Sequence, residues 1–510
     1  MQSRLKYKAE LAGREPATYV RASRTLRGRS LKDNLRQRVG TGGIWSAATR
    51  LADQGLNALV MVVLARILGP ESIGLLGMLL VLLFVGESLA DGGFGRALVQ
   101  GTNIEHPDES SVFFFNLLVG ITLTCIMFVG SEALAHFYRE PRVAELSRLL
   151  CPIMVFNSLA VVPASKLARE LNYRPLFWAT FPALLIAGSV ALGGAFRGVG
   201  VASLAIHLVG FSMLRSLFLW MCVAWRPALD GSWDCLRRLA PFGIPLLISG
   251  CLTAVFSEMV TITVGRLFSA GDVGFYVQAS RLQRIPCDIA AFALLQVSFP
   301  ALCILSKDRS QLADGFRQFI RVAAMIGCSS MMGLCVVSPS LVLALFGQEW
   351  MPMIPMVQKL CAVGIFFPLQ AANISLMWAT GRTMLALACG CASLAFQGVA
   401  IFATYAHGVE AMIVGQIAVA LAYYLLLAHL GATIINFRIG SQLRTCLPSV
   451  IAGLGMAIPV YLLGSLLTPG LICLIAQVSM GMLLFPLISW FLQRDLMKLL
   501  MATIRDIRRA

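Results

Sequence analysis

The chain has 510 residues, of which 58% are hydrophobic and only 13% are charged. Soluble proteins carry about 25% charged residues, so this composition excludes a soluble globular enzyme and indicates a protein that crosses a membrane many times. The net charge of +16 lies mainly in loops and tails, as membrane orientation requires, and therefore does not indicate nucleic-acid binding.

The chain begins with a basic, polar segment, residues 1–40, that has no apolar core and is therefore not a signal peptide. Three interpretations remain open for it. It is a cytoplasmic tail, an anchor on anionic lipid, or, over residues 1–33, an extension that precedes the true start of translation.

About fourteen apolar segments follow, each long enough to cross a hydrocarbon core roughly 30 Å thick. They predict an all-α polytopic membrane protein with about 14 transmembrane helices. Most basic residues outside these segments lie in connections on the side of the N-terminus, such as those near Lys166, Arg237 and Arg309. This bias places both termini in the cytoplasm, which requires an even number of spans.

Two short stretches recur at corresponding places. ARILGPESIGLL at 65–76 corresponds to GRLFSAGDVGFY at 265–276, two hundred residues later, and LAHFYREP at 134–141 corresponds to LALFGQEW at 343–350. Each pair falls at the same position within a unit of six spans. The repeats predict two six-helix lobes in the same orientation, related by an axis along the membrane normal.

The predicted division of the chain follows from these repeats. It consists of a basic tail at 1–40, an N-lobe at 41–225, a cytoplasmic linker at 226–241, a C-lobe at 242–431, a C-terminal helix pair at 432–493 and a basic tail at 494–510.

The sequence carries no motif for an energy source or a catalytic site. The sequence contains no G-x-x-x-x-G-K-[ST] phosphate loop, and GGFGRA at 92–97 lacks the strand–helix context of a dinucleotide site. Most cysteines lie in apolar segments and behave as small hydrophobic residues, so neither a metal site nor a cofactor is expected. The predicted outer loops are also too short to hold a large active site.

Ionisable residues inside the spans are the remaining candidates, because a charge is costly in hydrocarbon and usually faces a cavity or a partner. A spacing of three places Asp53 on one helical face with Arg50. Spacings of three and four place Arg281, Arg284 and Asp288 on one face of the eighth span. Spans one, two, seven and eight correspond between the lobes, so their charged faces are predicted to meet at a central cavity. The candidates are Arg50, Asp53, Glu258, Arg281, Arg284 and Asp288.

Several alternatives stay open at this point. Arg50 with Asp53, and Arg284 with Asp288, could be intrahelical pairs that neutralise one another. Glu258 has no cation within one turn. It is either an ion- or proton-coupling site or the partner of an arginine on another helix. Other charged residues have simpler interpretations. Arg66 and Arg266 are interpreted as headgroup anchors, and Arg148 with Glu145 as interface residues. Arg215 lies within a span and stays without an assignment.

The chain resembles the polysaccharide flippases of the multidrug/oligosaccharidyl-lipid/polysaccharide superfamily, in particular the Wzx and WzxC type of exopolysaccharide exporter. The resemblance covers about residues 34–495. The residues that carry it are LRQRVGTGGIWSA at 35–47, LARILGPESIGLLGM at 64–78, LADGGFGRALVQ at 89–100, LNYRP at 171–175 and LALFGQEW at 343–350.

This resemblance implies a transporter, not an enzyme, with two lobes around a V-shaped cavity that opens alternately to either side of the bacterial inner membrane. The implied cargo is an undecaprenyl-pyrophosphate-linked oligosaccharide for exopolysaccharide or lipopolysaccharide synthesis. The implied partners are this cargo and membrane lipid, with a polymerase and glycosyltransferases of the same pathway as further candidates. Cargo binding carries over onto Arg50, Arg281 and Arg284, and ion coupling onto Asp53, Glu258 and Asp288.

Three other functions compete with this one. A drug or cation antiporter and a peptidoglycan-precursor flippase belong to the same superfamily, and a membrane enzyme of polysaccharide assembly belongs to another class. Arginine binds phosphate bidentately and stays charged in a poor dielectric, so a cavity with several arginines suits a pyrophosphate better than a lipophilic cation.

Overall fold

The computed structural model describes residues 16–91, 93–101, 104–229, 231–306, 308–435, 437–498 and 501–502, with side chains from residue 42 onward except at a few positions. The predicted basic tails at 1–40 and 494–510 therefore lie largely outside the described side chains. Within the described residues the protein is 89% helical and contains no strand.

The helices follow one another with short connections. In chain order they are α1 (Pro16–Asp91), α2 (Phe94–Gln100), α3 (His106–Val129), α4 (Ser131–Tyr138), α5 (Arg142–Leu150), α6 (Ile153–Arg169), α7 (Arg174–Phe196), α8 (Ala202–Cys222), α9 (Trp233–Ser257), α10 (Met259–Leu267), α11 (Ala270–Leu305), α12 (Arg309–Leu345), α13 (Met353–Ala379), α14 (Thr383–Thr404), α15 (Val409–Ile435), α16 (Ile439–Leu466) and α17 (Leu471–Leu492).

Twelve of the described helical stretches are long and apolar enough to cross a membrane. One of them, Gly42–Ala90, has 49 residues and contains both the first and the second predicted spans. The two parts meet at Gly69, whose φ of 76° and ψ of 174° are not helical. The all-α polytopic fold is thus confirmed, whereas the number of fourteen spans stays a prediction.

The repeated turn lies where the two lobes touch. A Cβ atom added at Gly74 would lie 1.7 Å from the carbonyl oxygen of Ala270, and one added at Gly274 would lie 2.0 Å from that of Pro70. Residues 74 and 274 correspond in the repeat, as do residues 70 and 270, so the contact is reciprocal. Each lobe needs a glycine at the place where it meets the turn of the other, and this explains why the motif recurs.

The arginines of the repeated turn also bond across the lobes. Arg66 Nη1 donates to the carbonyl oxygen of Ala344 at 2.9 Å, and Arg266 Nη1 donates to that of Phe137 at 2.5 Å. Both acceptors belong to the second repeated motif of the opposite lobe. The two arginines therefore tie the lobes together, a role that the interpretation as headgroup anchors did not include.

The connection between α8 and α9 is fixed against the start of α3. Ser110 Oγ accepts from the backbone nitrogen of Ala228 at 3.2 Å, and Ser111 Oγ accepts from that of Ser232 at 2.9 Å. Arg238 on α9 also donates to the fully buried carboxylate of Asp108. The start of α9 is therefore held against the N-lobe, and α9 forms one wall of the cavity described below.

We expect Gly74→Val to destabilise the protein by about 1–3 kcal/mol or more, because the new side chain collides with the backbone of α11. The matched control is Gly390→Val, since Gly390 is also helical and a Cβ there meets nothing within 4 Å. Thermal unfolding of the purified variants measures the difference. Equal unfolding temperatures for the two variants would contradict the lobe contact.

Candidate functional site

Span seven is broken in the middle. The sequence predicts one continuous span near 242–265, but α9 ends at Ser257, Glu258 has φ −104° and ψ 7°, and α10 begins at Met259. The break leaves the carbonyl oxygen of Ser257 outside the regular helical pattern, and Arg284 Nη2 donates to it at 3.1 Å. Discontinuous helices of this kind expose polar groups at membrane depth in many transporters.

Glu258 at this break is the partner of Arg284 on α11. Arg284 Nη1 lies 3.3 Å from Glu258 Oε1, and Thr261 Oγ1 donates to Glu258 Oε2 at 2.9 Å. The carboxylate side chain is only 7% exposed, whereas the guanidinium side chain is 47% exposed. The pair therefore anchors one side of Arg284 and leaves the other side accessible.

A cavity of about 660 Å³ adjoins this pair. Its walls come from the second half of α1, the start of α2, α6, α8 and α9, with Glu258 and Arg284 at one place in the lining. Its charged lining residues are Glu87, Arg96, Arg215, Glu258 and Arg284. This volume lies within the range of roughly 300–1,000 Å³ that is common for ligand sites.

The cavity includes some of the residues that were predicted from the sequence. Glu258 and Arg284 line it, whereas Arg50, Asp53, Arg281 and Asp288 are not among its lining residues in the described part of the chain. Three of these residues remain close to the charges of the site. Arg281 interacts electrostatically with Glu258 and Arg284. Asp288 interacts in the same way with Arg284. Asp53 interacts with Arg215.

The structure also settles which groups pair. Arg284 bonds to Glu258 on the broken span, not to Asp288 on its own helix as one open alternative held. Arg148 bonds to Glu132 on α4, and the interpretation of Arg148 with Glu145 as interface residues stays a prediction. Each bond joins two different elements, across 26 positions of the sequence for Arg284 with Glu258 and across 16 positions for Arg148 with Glu132.

Two arginines that line the cavity, Arg96 and Arg215, are not among the site residues predicted from the sequence. Arg96 belongs to GGFGRA at 92–97, a motif that the sequence presents without the strand–helix context of a dinucleotide site. Arg215 was noted within a span but received no role, although a charge within a span is itself a signal for a cavity. A further polar contact joins Asn57 to the fully buried His207, with Asn57 Oδ1 and His207 Nε2 3.2 Å apart.

Comparison with known proteins places this chain in a family. The model of a family described as "Polysaccharide biosynthesis protein" matches residues 63–355. The lipopolysaccharide biosynthesis protein WzxC of Escherichia coli K12 is 26% identical over 354 residues, which cover 68% of this chain and 71% of that protein. The succinoglycan biosynthesis transport protein ExoT of Rhizobium meliloti 1021 is 25% identical over 307 residues, 60% of this chain and 62% of that protein.

The fold is similar to that of the lipid II flippase MurJ in an inward closed conformation, with a TM-score of 0.72. The two sequences are 15% identical, and the match covers 89% of this chain and 99% of the MurJ chain. The resemblance that the sequence motifs indicated is thereby confirmed. Since the family model matches more than half of the chain, this protein belongs to that family of polysaccharide biosynthesis proteins.

Proposed function

We propose that this protein flips an undecaprenyl-pyrophosphate-linked oligosaccharide across the bacterial inner membrane, by alternating access and without an ATPase of its own. It is a multi-pass membrane transporter and not an enzyme, in agreement with its family and its structural neighbours. The proposal includes cytoplasmic termini, and a polymerase and glycosyltransferases as pathway partners. The observation that carries it is the half-exposed Arg284 beside a cavity at the break of a membrane-spanning helix.

The chemistry of Arg284 suits a pyrophosphate. A guanidinium group has five N–H donors, and here Glu258 and the carbonyl of Ser257 each take one. The remaining donors can bind phosphate oxygens. Arg96 and Arg215 add two more cations to the cavity lining, which disfavours a lipophilic cation as cargo.

Arg281 and Arg50 complete the proposed cargo-binding set. Arg281 is partly buried one turn before Arg284 on α11, and its charge acts together with that of Arg284 on Glu258. Arg50 is exposed near the start of span one. We propose that these two residues contact the cargo when the lobes move relative to one another.

Glu258 is proposed to couple cargo binding to an ion gradient. While it is ionised, it competes with a phosphate for Arg284. A proton or a sodium ion on the carboxylate would release the guanidinium group to the cargo. Asp53 and Asp288, each within range of an arginine of the site, are the further coupling candidates.

Deletion of the gene tests the transport step itself. We expect secreted polymer to disappear and completed lipid-linked repeat units to accumulate on the cytoplasmic face of the membrane. Mass analysis of extracted lipids, with an impermeant labelling reagent to assign the face, makes this measurement. Accumulation on the periplasmic face would place the protein after the flipping step, and unchanged lipids would favour an antiporter of other substrates.

Arg284→Ala should reduce polymer export by about tenfold or more, because charge-assisted bonds to a phosphate are among the strongest hydrogen bonds. Complementation of the deletion strain measures export, and immunoblotting of membranes confirms insertion. Arg197→Ala, which removes an exposed charge at the end of α7, is the matched control and should export normally. Normal export by the Arg284 variant would remove this residue from the cargo site.

Glu258→Gln keeps a hydrogen-bonding group for Thr261 but removes the charge that an ion would bind. We expect transport by this variant in vesicles to lose its dependence on an imposed proton or sodium gradient. Glu132→Gln, which removes an exposed carboxylate on α4, serves as the control. If the variant still responds to the gradient as the unmodified protein does, Glu258 is not the coupling group.

A further inference from the structure

One face of α9 forms a continuous wall of the cavity. Its lining residues are Leu246, Leu247, Ser249, Gly250, Thr253, Ala254 and Ser257. Two spacings of four residues place Ser249, Thr253 and Ser257 in line along the helix, and we call these three residues the hydroxyl stripe. At 1.5 Å per residue the stripe extends for about 12 Å. No Asp, Glu, Lys, Arg or His occurs in the sequence between Leu239 and Ser257, so this wall is polar but uncharged.

The hydroxyl stripe is oriented by its own helix. Thr253 Oγ1 donates to the carbonyl oxygen of Ser249 at 2.7 Å, and Ser257 Oγ donates to that of Ala254 at 3.0 Å. A hydroxyl group has one proton to donate and two lone pairs. With these two protons committed to the helix, the oxygen atoms of Thr253 and Ser257 act as acceptors toward the cavity. They suit a ligand that brings O–H donors and do not suit an anionic group.

The stripe has a cation near each end. Its last residue, Ser257, precedes the Glu258–Arg284 pair. The other end of the same helix packs against the start of α2, since a Cβ at Gly93 would lie 2.2 Å from the carbonyl oxygen of Gly243. Arg96 lines the cavity one turn along α2 from that contact. Across the cavity, Asn157 on α6 offers both a donor and an acceptor.

We infer that the hydroxyl stripe binds the sugar that is joined directly to the pyrophosphate of the cargo, and that this sugar is a neutral polyhydroxyl sugar, not a uronic acid. The inference rests on the proposed function, with the pyrophosphate at Arg284. A sugar carboxylate would face the acceptor oxygens of the stripe. Thr253, in the middle of the stripe, is the residue that determines this specificity.

The test uses the purified full-length protein and three probes. They are undecaprenyl pyrophosphate without sugar, the same lipid with one glucose, and the same lipid with one glucuronic acid. Thr253→Val removes the hydroxyl group at nearly constant volume. Its matched control is Thr263→Val, because Thr263 Oγ1 also donates to a carbonyl one turn earlier, that of Met259 at 2.8 Å, but does not line the cavity.

We expect the unmodified protein to bind the glucose-bearing lipid more tightly than the glucuronate-bearing one. Thr253→Val should weaken binding of the glucose-bearing lipid by about three- to tenfold, the effect of one lost neutral hydrogen bond, and should leave binding of the sugar-free lipid unchanged. Thr263→Val should change neither. Ser249→Ala is a second stripe variant, with the same expected loss, in case Thr253→Val fails to fold.

The outcomes separate this inference from the proposed function. If stripe variants bind the glucose-bearing lipid as tightly as the unmodified protein, or if glucuronate is bound as well as glucose, the inference is overturned. The proposed function would then still stand, provided that the sugar-free lipid binds and that Arg284→Ala weakens its binding. If the unmodified protein binds none of the probes, the proposed function and the inference both fail.

Discussion

The bond between Glu258 and Arg284 is the interaction on which the proposed site depends. It forms where span seven is interrupted, so a carboxylate, an arginine and a main-chain carbonyl converge at the helix break. A buried carboxylate without a partner would be costly, and an arginine held only by water would not be positioned. Glu258 and the carbonyl of Ser257 hold the guanidinium group of Arg284 in a defined orientation at the cavity. The uncharged face of α9 lines the same cavity next to this group.

The lobes form this cavity because they are joined at one end by reciprocal contacts. Gly74 and Gly274 each face the backbone of the opposite turn, and Arg66 and Arg266 each bond to the second repeated motif of the other lobe. These contacts involve only backbone atoms and one arginine side chain per lobe. A duplicated sequence therefore produces a symmetric junction, whereas the cavity itself is asymmetric, since most of its lining comes from the N-lobe and α9.

Part of the site was accessible to sequence reasoning. Glu258 and Arg284 were recognised because charges within apolar spans are rare, and one of the two alternatives for Glu258 was an arginine on another helix. Their mutual bond was not predicted, because it joins residues 26 positions apart across a helix break that no local pattern marked. Arg50, Asp53, Arg281 and Asp288 share the same signal, yet helix rotation and tilt place them outside the cavity lining. The hydroxyl stripe was overlooked because serine and threonine are unremarkable in an apolar helix.

The sequence by itself determined that this is an all-α membrane protein with two related lobes, because hydropathy and internal repetition are properties of the chain read in order. Its motifs also identified the family. Only the tertiary structure decided which charged residues meet, where span seven breaks and which face of α9 lines the cavity. Those features depend on the distances and angles between helices, and these are set by close packing at contacts such as Gly74 with Ala270, not by the spacing of residues along any one helix.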